Sequence, residues 1–299
     1  MTMQIMDAPA ALGYVISQRS HIEAEVMRKP YPTIQYPRMM QVDTSANQFA
    51  ASVTFFTQDS VGRAKFMNGK GDDIPRVDVT TGKFEQTVNM AGVMYSYSIE
   101  EIGAAAQIGM SLPTEGANAA RMAYEMLVNS TALIGNAELG IEGFFNTTGI
   151  TSVASAATFA LSTPQAILAF VNGMLTGVQS GSLGTQVADT VVLPIAQFGD
   201  LATRQLAAES DTTVLDFIRR ANVYTAQTGL PLNIMADHNL INRMVVYRND
   251  PSVVKLHMPM PLMFLAPQAY GLEVRTYGAF RFAPVSIRTP SAVRYGTGL

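Results

Sequence analysis

The chain of 299 residues is 48% apolar and only 14% charged, with a formal net charge of −3. An ordinary soluble domain has roughly 25% charged residues, so much of this surface is expected to lie against other protein, as in an obligate oligomer. The charge balance argues against a dedicated nucleic-acid binder, the absence of cysteine excludes disulfides and thiolate metal sites, and no apolar run reaches the roughly 20 residues of a membrane helix.

Residues 1–13 lack the basic and apolar regions of a signal peptide. Residues 11–27 read as a short amphipathic helix with Leu12, Val15, Ile16, Ile22 and Val26 apolar. Pro30, Pro32 and Pro37 then predict an extended path rather than helix over residues 29–37. Tyr31, Ile34 and Tyr36 suit that arm to be a strap laid over another surface. Residues 47–57 alternate as a strand. From Asp59 to Glu85 charges are dense, and Asn68, Gly69, Gly71, Asp72 and Asp73 are turn formers. With strand-like flanks at 52–57 and 83–97, this reads as a long, charged, projecting β-hairpin, which needs a partner surface.

Ser98 with Glu101 fits a capping box that opens a helix to about Ile108. Pro113 sits near the first turn of the longest helical pattern, residues 114–134, with Ala119, Met122, Ala123, Met126, Leu127, Ser130 and Leu133 on one predicted inward face. Gly135 and Asn136 end it. Residues 139–199 are nearly uncharged. Within and beyond them, helices are predicted at 163–178 (Ile167, Leu168, Val171, Met174 and Leu175 inward), 196–207 and 213–220. A flexible loop is expected at 180–184, and strands at 190–193, 232–235, 244–247, 272–282, 285–288 and 292–295. Helices and strands without regular alternation argue for an α+β fold.

The search for chemistry yields no catalytic, cofactor or metal site. Ala64 stands where a phosphate loop ending at Gly69-Lys70 needs glycine, and Gly135, Gly140 and Gly143 miss the dinucleotide spacing. His21, His238 and His257 are scattered, and Asp237-His238 reads as a turn or cap. Ser182 has Ser180 where a nucleophile elbow needs glycine. Glu100-Glu101 and Asp72-Asp73 are adjacent, so their side chains diverge and read as solvated or capping groups.

The order of parts is extended arm, charged hairpin, long helix, uncharged α/β segment and returning strands. It resembles the HK97-type major capsid proteins of tailed bacteriophages, from about Tyr31 to the C-terminus. Three segments carry the similarity: Ser98-Ile99-Glu100-Glu101 through Leu112-Pro113-Thr114, then Leu139-Gly140-Ile141-Glu142-Gly143-Phe144-Phe145-Asn146, then Ala266-Pro267-Gln268 with Gly271-Leu272-Glu273. The resemblance implies an N-terminal helix and N-arm over residues 1–47 and an E-loop hairpin over 48–97. It implies a P-domain with a spine helix from 98–149 and 251–299, and an A-domain over 150–250. Such a protein is no enzyme and needs no cofactor. It self-assembles as hexamers and pentamers into the icosahedral shell of a virion, in the host bacterial cytoplasm and without a membrane.

Portal, scaffold or decoration proteins would be further partners, and packaged double-stranded DNA a non-specific neighbour. Only about 30 residues precede the arm, implying a separate scaffold or none. Some capsid shells cross-link a lysine to an asparagine, and Lys65, Lys70 and Lys83 stand on the hairpin; solvation or pairing with nearby acids is the plainer reading. Two alternatives stand beside the phage shell: an encapsulin-type nanocompartment around a cargo enzyme, and a soluble oligomeric enzyme of unknown chemistry.

Overall fold

The computed structural model describes residues 31–66, 76–108, 112–207 and 210–299. The predicted helix at 11–27 and the turn at 68–73 lie outside them. The chain separates into residues 1–33 and a unit of residues 34–299. Of the first, only residues 31–33 are described, and they have no regular structure.

Tyr36–Met39 forms a one-turn helix, α1, with Pro37 in its first turn, where a missing N–H costs nothing. Tyr36, Met39 and Met40 are buried in the chain's own core. Residues 36–39 are therefore helical and packed at home rather than extended across a neighbour, while residues 31–35 carry no regular structure and Tyr31 is exposed. The Tyr36, Met39 and Met40 side chains find enough apolar surface within the chain.

The short strand β1 (Gln41–Asp43) follows, and then the hairpin of β2 (Ser52–Val61) and β3 (Asp78–Thr87). The hairpin pairs in unbroken antiparallel register from Ser52↔Thr87 to Val61↔Asp78. The single strand expected over 83–97 is in fact two. Buried Val88 separates β3 from β4 (Asn89–Ser98), and β4 leaves the hairpin to pair elsewhere.

Helix α2 (Ile99–Ile108) starts at the predicted capping box. Ser98 N–H donates to Glu101 Oε2 at 2.8 Å, and Glu101 N–H donates to Ser98 Oγ at 3.2 Å. Helix α3 (Leu112–Leu133) is the long one, but its inward face differs from the predicted one. Gly116, Ala120, Tyr124, Val128, Thr131 and Ala132 face inward; of the residues predicted there, Leu133 is buried and Met122 and Ser130 half-buried, whereas Ala119, Ala123, Met126 and Leu127 are exposed. The helix is apolar on both sides, so periodicity alone chose the wrong side. A Cβ at Gly116 would collide with the Tyr97 ring, so glycine lets α3 cross close over β4. At its end Gly135 takes φ +91° and opens the two-residue ladder β5 (Gly135–Asn136) and β6 (Ile141–Glu142).

Next come β7 (Thr151–Ala154) and α4 (Pro164–Gly181), capped by Thr163 Oγ1, which accepts the Ala166 N–H. Helix α4 runs into the predicted loop at 180–184 before ending. After it come β8 (Thr190–Pro194), α5 (Ile195–Thr203), α6 (Val214–Ala221), α7 (Val223–Thr228), β9 (Asn233–Asp237) and β10 (Arg243–Tyr247). The chain closes through β11 (Val254–His257), β12 (Met260–Phe264), β13 (Gln268–Tyr270), β14 (Glu273–Phe282), β15 (Val285–Ile287) and β16 (Val293–Thr297). The elements α7, β1, β5, β6, β7, β11, β12 and β13 went unpredicted, being short or lacking alternation.

A five-stranded mixed sheet, ordered β7-β16-β10-β8-β9, stands between two cores. Successive strand residues point to opposite faces. Val192, Met235, Val245, Tyr247, Val293 and Tyr295 enter one core with Tyr124, Val128, Ala132, Leu133 and Phe144. Val191, Leu193, Ile234, Met244 and Val246 enter the other with α4, α5 and α6. Burial on both faces explains the uninterrupted apolar runs of β8 and β10. On the far side of α3, β14 pairs along its full length with β4 and, on its other edge, with β12 and β13. A third sheet, β1-β11-β15, binds the arm strand β1 in parallel to β11. The α+β fold expected from the sequence is therefore present.

Candidate functional site

The residues weighed for chemistry are occupied structurally. Ser182 is buried, accepts the Gln186 N–H at 3.0 Å and lies 3.1–3.2 Å from the carbonyls of Gln186 and Gln179. Glu101 closes the capping box. Glu142 Oε2 accepts the Thr148 N–H at 2.9 Å, bracing its own loop. Asp237 is buried and accepts the Asn239 N–H at 2.7 Å, which is the predicted turn. His238 is exposed and His257 buried. Lys83 pairs with Glu85 at 3.1 Å. His21, Gly69, Lys70, Asp72 and Asp73 lie outside the described residues. Among the described residues no group of three or more His, Asp or Glu is placed to hold a metal ion.

Among the described residues, exposed large apolar side chains include groups on three elements. The hairpin exposes Phe56, Phe66, Val77, Val79 and Phe84 among its charges. A two-stranded ribbon cannot bury these residues within itself. The sheet of β4, β14 and β12 covers its inner face with α3, yet its outer face shows Met90, Met94, Met263, Leu265 and Tyr277. The third is the exposed stripe of α3, with Met126 and Leu127. Exposed apolar area, where it is contiguous, marks interaction sites. The sequence reading missed the outer sheet face, although the two-residue spacing of Met90, Gly92 and Met94 opposite Val93 and Tyr95 was its signal.

The hairpin joins the body through a small polar junction on the β1-β11-β15 sheet. Phe55 and Phe84 stack with centroids 5.4 Å apart, and the Arg288 guanidinium lies 5.4 Å from the Phe55 ring. Gln86 Nε2 donates to Val285 O at 3.3 Å. Beside this contact, Asp43 Oδ2 meets Lys255 Nζ at 2.7 Å. The same oxygen is 3.4 Å from His257 Nδ1, whose Nε2 is 3.4 Å from Arg288. Lys255 and then the Ser45 hydrogen bonds hold the Asp43 carboxyl well below the usual carboxylate range. Burial first, partly opposed by Asp43, holds the His257 ring below the ordinary histidine value. No signal in the sequence joined Asp43 to residues more than 200 positions away.

The family model described as major capsid protein matches residues 62–299. No curated protein matches. Among solved structures, the chain is similar to the capsid of Myoviridae phage XM1, at 16% identity over 99% of both chains with a TM-score of 0.81. It is similar to the capsid of an empty GTA particle, at 13% identity over 98% of this chain and 99% of that one, TM-score 0.66. A virus-like particle from Pyrococcus furiosus shares 14% identity over 87% of this chain and 90% of that one, with a TM-score of 0.53. At such identities these likenesses concern the fold.

Proposed function

Because the chain belongs to the major capsid protein family, we propose that its shell is built by hairpins lying across neighbouring copies, with subunits grouped as hexamers and pentamers. The observation that carries this reading is the hairpin itself: ten-residue strands in full register, exposing large apolar side chains on a ribbon too thin to bury them. A shell of repeated subunits supplies the missing surface at every hairpin. Each covered apolar patch then contributes about 25 cal/mol per Å², before the cost of ordering.

In this reading residues 1–47 are the N-terminal helix and arm, and 48–97 the E-loop with its flanking strands. Residues 98–149 with 251–299 form the P-domain, and 150–250 the A-domain. The role is structural rather than enzymatic. Portal, scaffold or decoration proteins are further partners, packaged double-stranded DNA is a neighbour held without sequence readout, and assembly takes place in the host cytoplasm. The nanocompartment alternative has weaker support, since the fold agrees more closely with the phage capsid than with the archaeal virus-like particle.

Deleting residues 59–85 and closing the gap with a short turn tests the proposal. The expected outcome is a folded subunit by circular dichroism that forms no stable shells by negative-stain microscopy or native mass. Particles of normal size and stability from the deletion would refute the role given to the hairpin.

A further inference from the structure

Buried polar atoms almost always find a hydrogen-bond partner. Gln86 Oε1, His257 Nδ1, Ser286 Oγ and Arg288 Nε are buried without one among the described residues, and all four belong to the junction between the hairpin root and the β1-β11-β15 sheet. Ser286 lies opposite Lys255 in the β11–β15 register, so it shares a face with His257 and Arg288. Beside this junction runs an open groove of about 580 Å³, lined by Phe84, Gln86, Ile141, Glu142 and Val285 among others. The hairpin root is thus held by an incompletely satisfied contact, next to space into which it can tilt.

We propose that the junction is an acid-released latch: protonation of His257 loosens the hold of the sheet on β1 and the hairpin root, and the hairpin changes its tilt. The latch itself stands on geometry; its consequence for shells rests on reading the hairpin as a strap across neighbours.

The charges facing His257 come from three elements. Strand β11 supplies Lys255, β1 supplies Asp43, and the residue after β15 is Arg288. Among the described residues of the hairpin root, Glu85 is engaged with Ser52 Oγ at 2.6 Å and with Lys83 rather than with the ring. With a neutral ring the cluster holds one anion and two cations. A proton on His257, whose side chain is 4% exposed, adds a third cation beside a single carboxylate that Lys255 already uses. A buried charge compensated only in part, by a carboxylate shared with another cation, is unfavourable. The closed junction therefore binds the proton less readily than the released one, in which the ring titrates near its ordinary value of about 6.5. The closed form is fully favoured above that pH and loses ground as the pH falls below it. At pH 5.5, one unit lower, proton linkage limits the change in the closed-to-open ratio to about tenfold.

Hydrogen–deuterium exchange on the full-length protein at pH 7.5 and 5.5, corrected for intrinsic rates, tests the latch. In the wild type, protection over residues 41–43, 52–56 and 84–88 should fall by up to about tenfold in acid, while residues 190–194 and 243–247 stay unchanged. His257→Gln should abolish the acid response. Arg288→Gln, which removes one facing cation, should shrink it. No acid response in the wild type, or an equal response in either variant, would overturn the proposal. Microscopy of the same samples separates the two readings. Shells without an acid response would refute the latch alone, and an acid-responsive protein that never assembles would refute the shell geometry alone.

Discussion

Asn129 lies within α3 and is 5% exposed. Its Oδ1 accepts the N–H groups of Gln35 at 2.9 Å and of Tyr36 at 3.1 Å. These donors stand at the N-terminal end of α1, whose own cap residue, Gln35, makes no side-chain capping bond. A side chain more than 90 residues away in sequence thus satisfies the helix entry. Asn129→Ala leaves two donors unpaired, and a buried orphan costs about 1–3 kcal/mol. Gln35 is partly reached by water, so the expected loss is about 2–4 kcal/mol. Urea denaturation of the unassembled subunit, followed by far-ultraviolet circular dichroism, measures it. Asn129→Asp keeps the acceptor oxygen, and below about pH 4, where its carboxyl is neutral, it should lose less than about 1 kcal/mol relative to wild type at the same pH. Trypsin should cut at Arg38 faster in the alanine variant. An alanine variant within about 0.5 kcal/mol of wild type, or an aspartate variant as damaged as it in acid, would refute the assignment of Asn129 as the anchor.

Three further outcomes follow from the geometry. Ser98→Ala removes one half of the capping box and should lower stability by about 1 kcal/mol, with faster amide exchange confined to α2. Phe144 is fully buried and packs edge-on against Tyr247 with centroids 4.9 Å apart; Phe144→Ala should cost about 3–5 kcal/mol in urea titrations, and a loss below about 1 kcal/mol would contradict its place in the core. Asp43→Asn should cost about 1.5–3 kcal/mol near neutral pH. The folded carboxyl is depressed, so this contribution is present above the unfolded value of about 3.9 and fades as the pH falls below it. Wild type and variant should therefore converge in acid denaturation profiles, well below the pH window of His257.

Local rules were read correctly where one segment of chain decides the outcome. The Ser98–Glu101 box, the start of α4 near residue 163, the strands β8 and β10, and the glycine stop at Gly135 all appeared as predicted. Each depends on neighbours within a few residues. The errors have a common cause. Helix α3 has apolar residues on both sides, and only the arrival of β4, β14 and the central sheet decided that Tyr124 and Val128 turn inward. Three prolines suggested an extended path through residue 37, but residues 36–39 close into α1, whose first N–H groups donate to Asn129 of α3.

Composition and the order of elements alone determined that this is an α+β chain whose low charge leaves apolar surface for other copies. Hydrophobic content and short-range pattern are properties of the chain whatever its path. Tertiary structure alone decided which faces remain uncovered, and that Asp43, Lys255, His257 and Arg288 meet beneath the hairpin. Contacts between residues more than 200 positions apart depend on how sheets stack, and no local spacing encodes that.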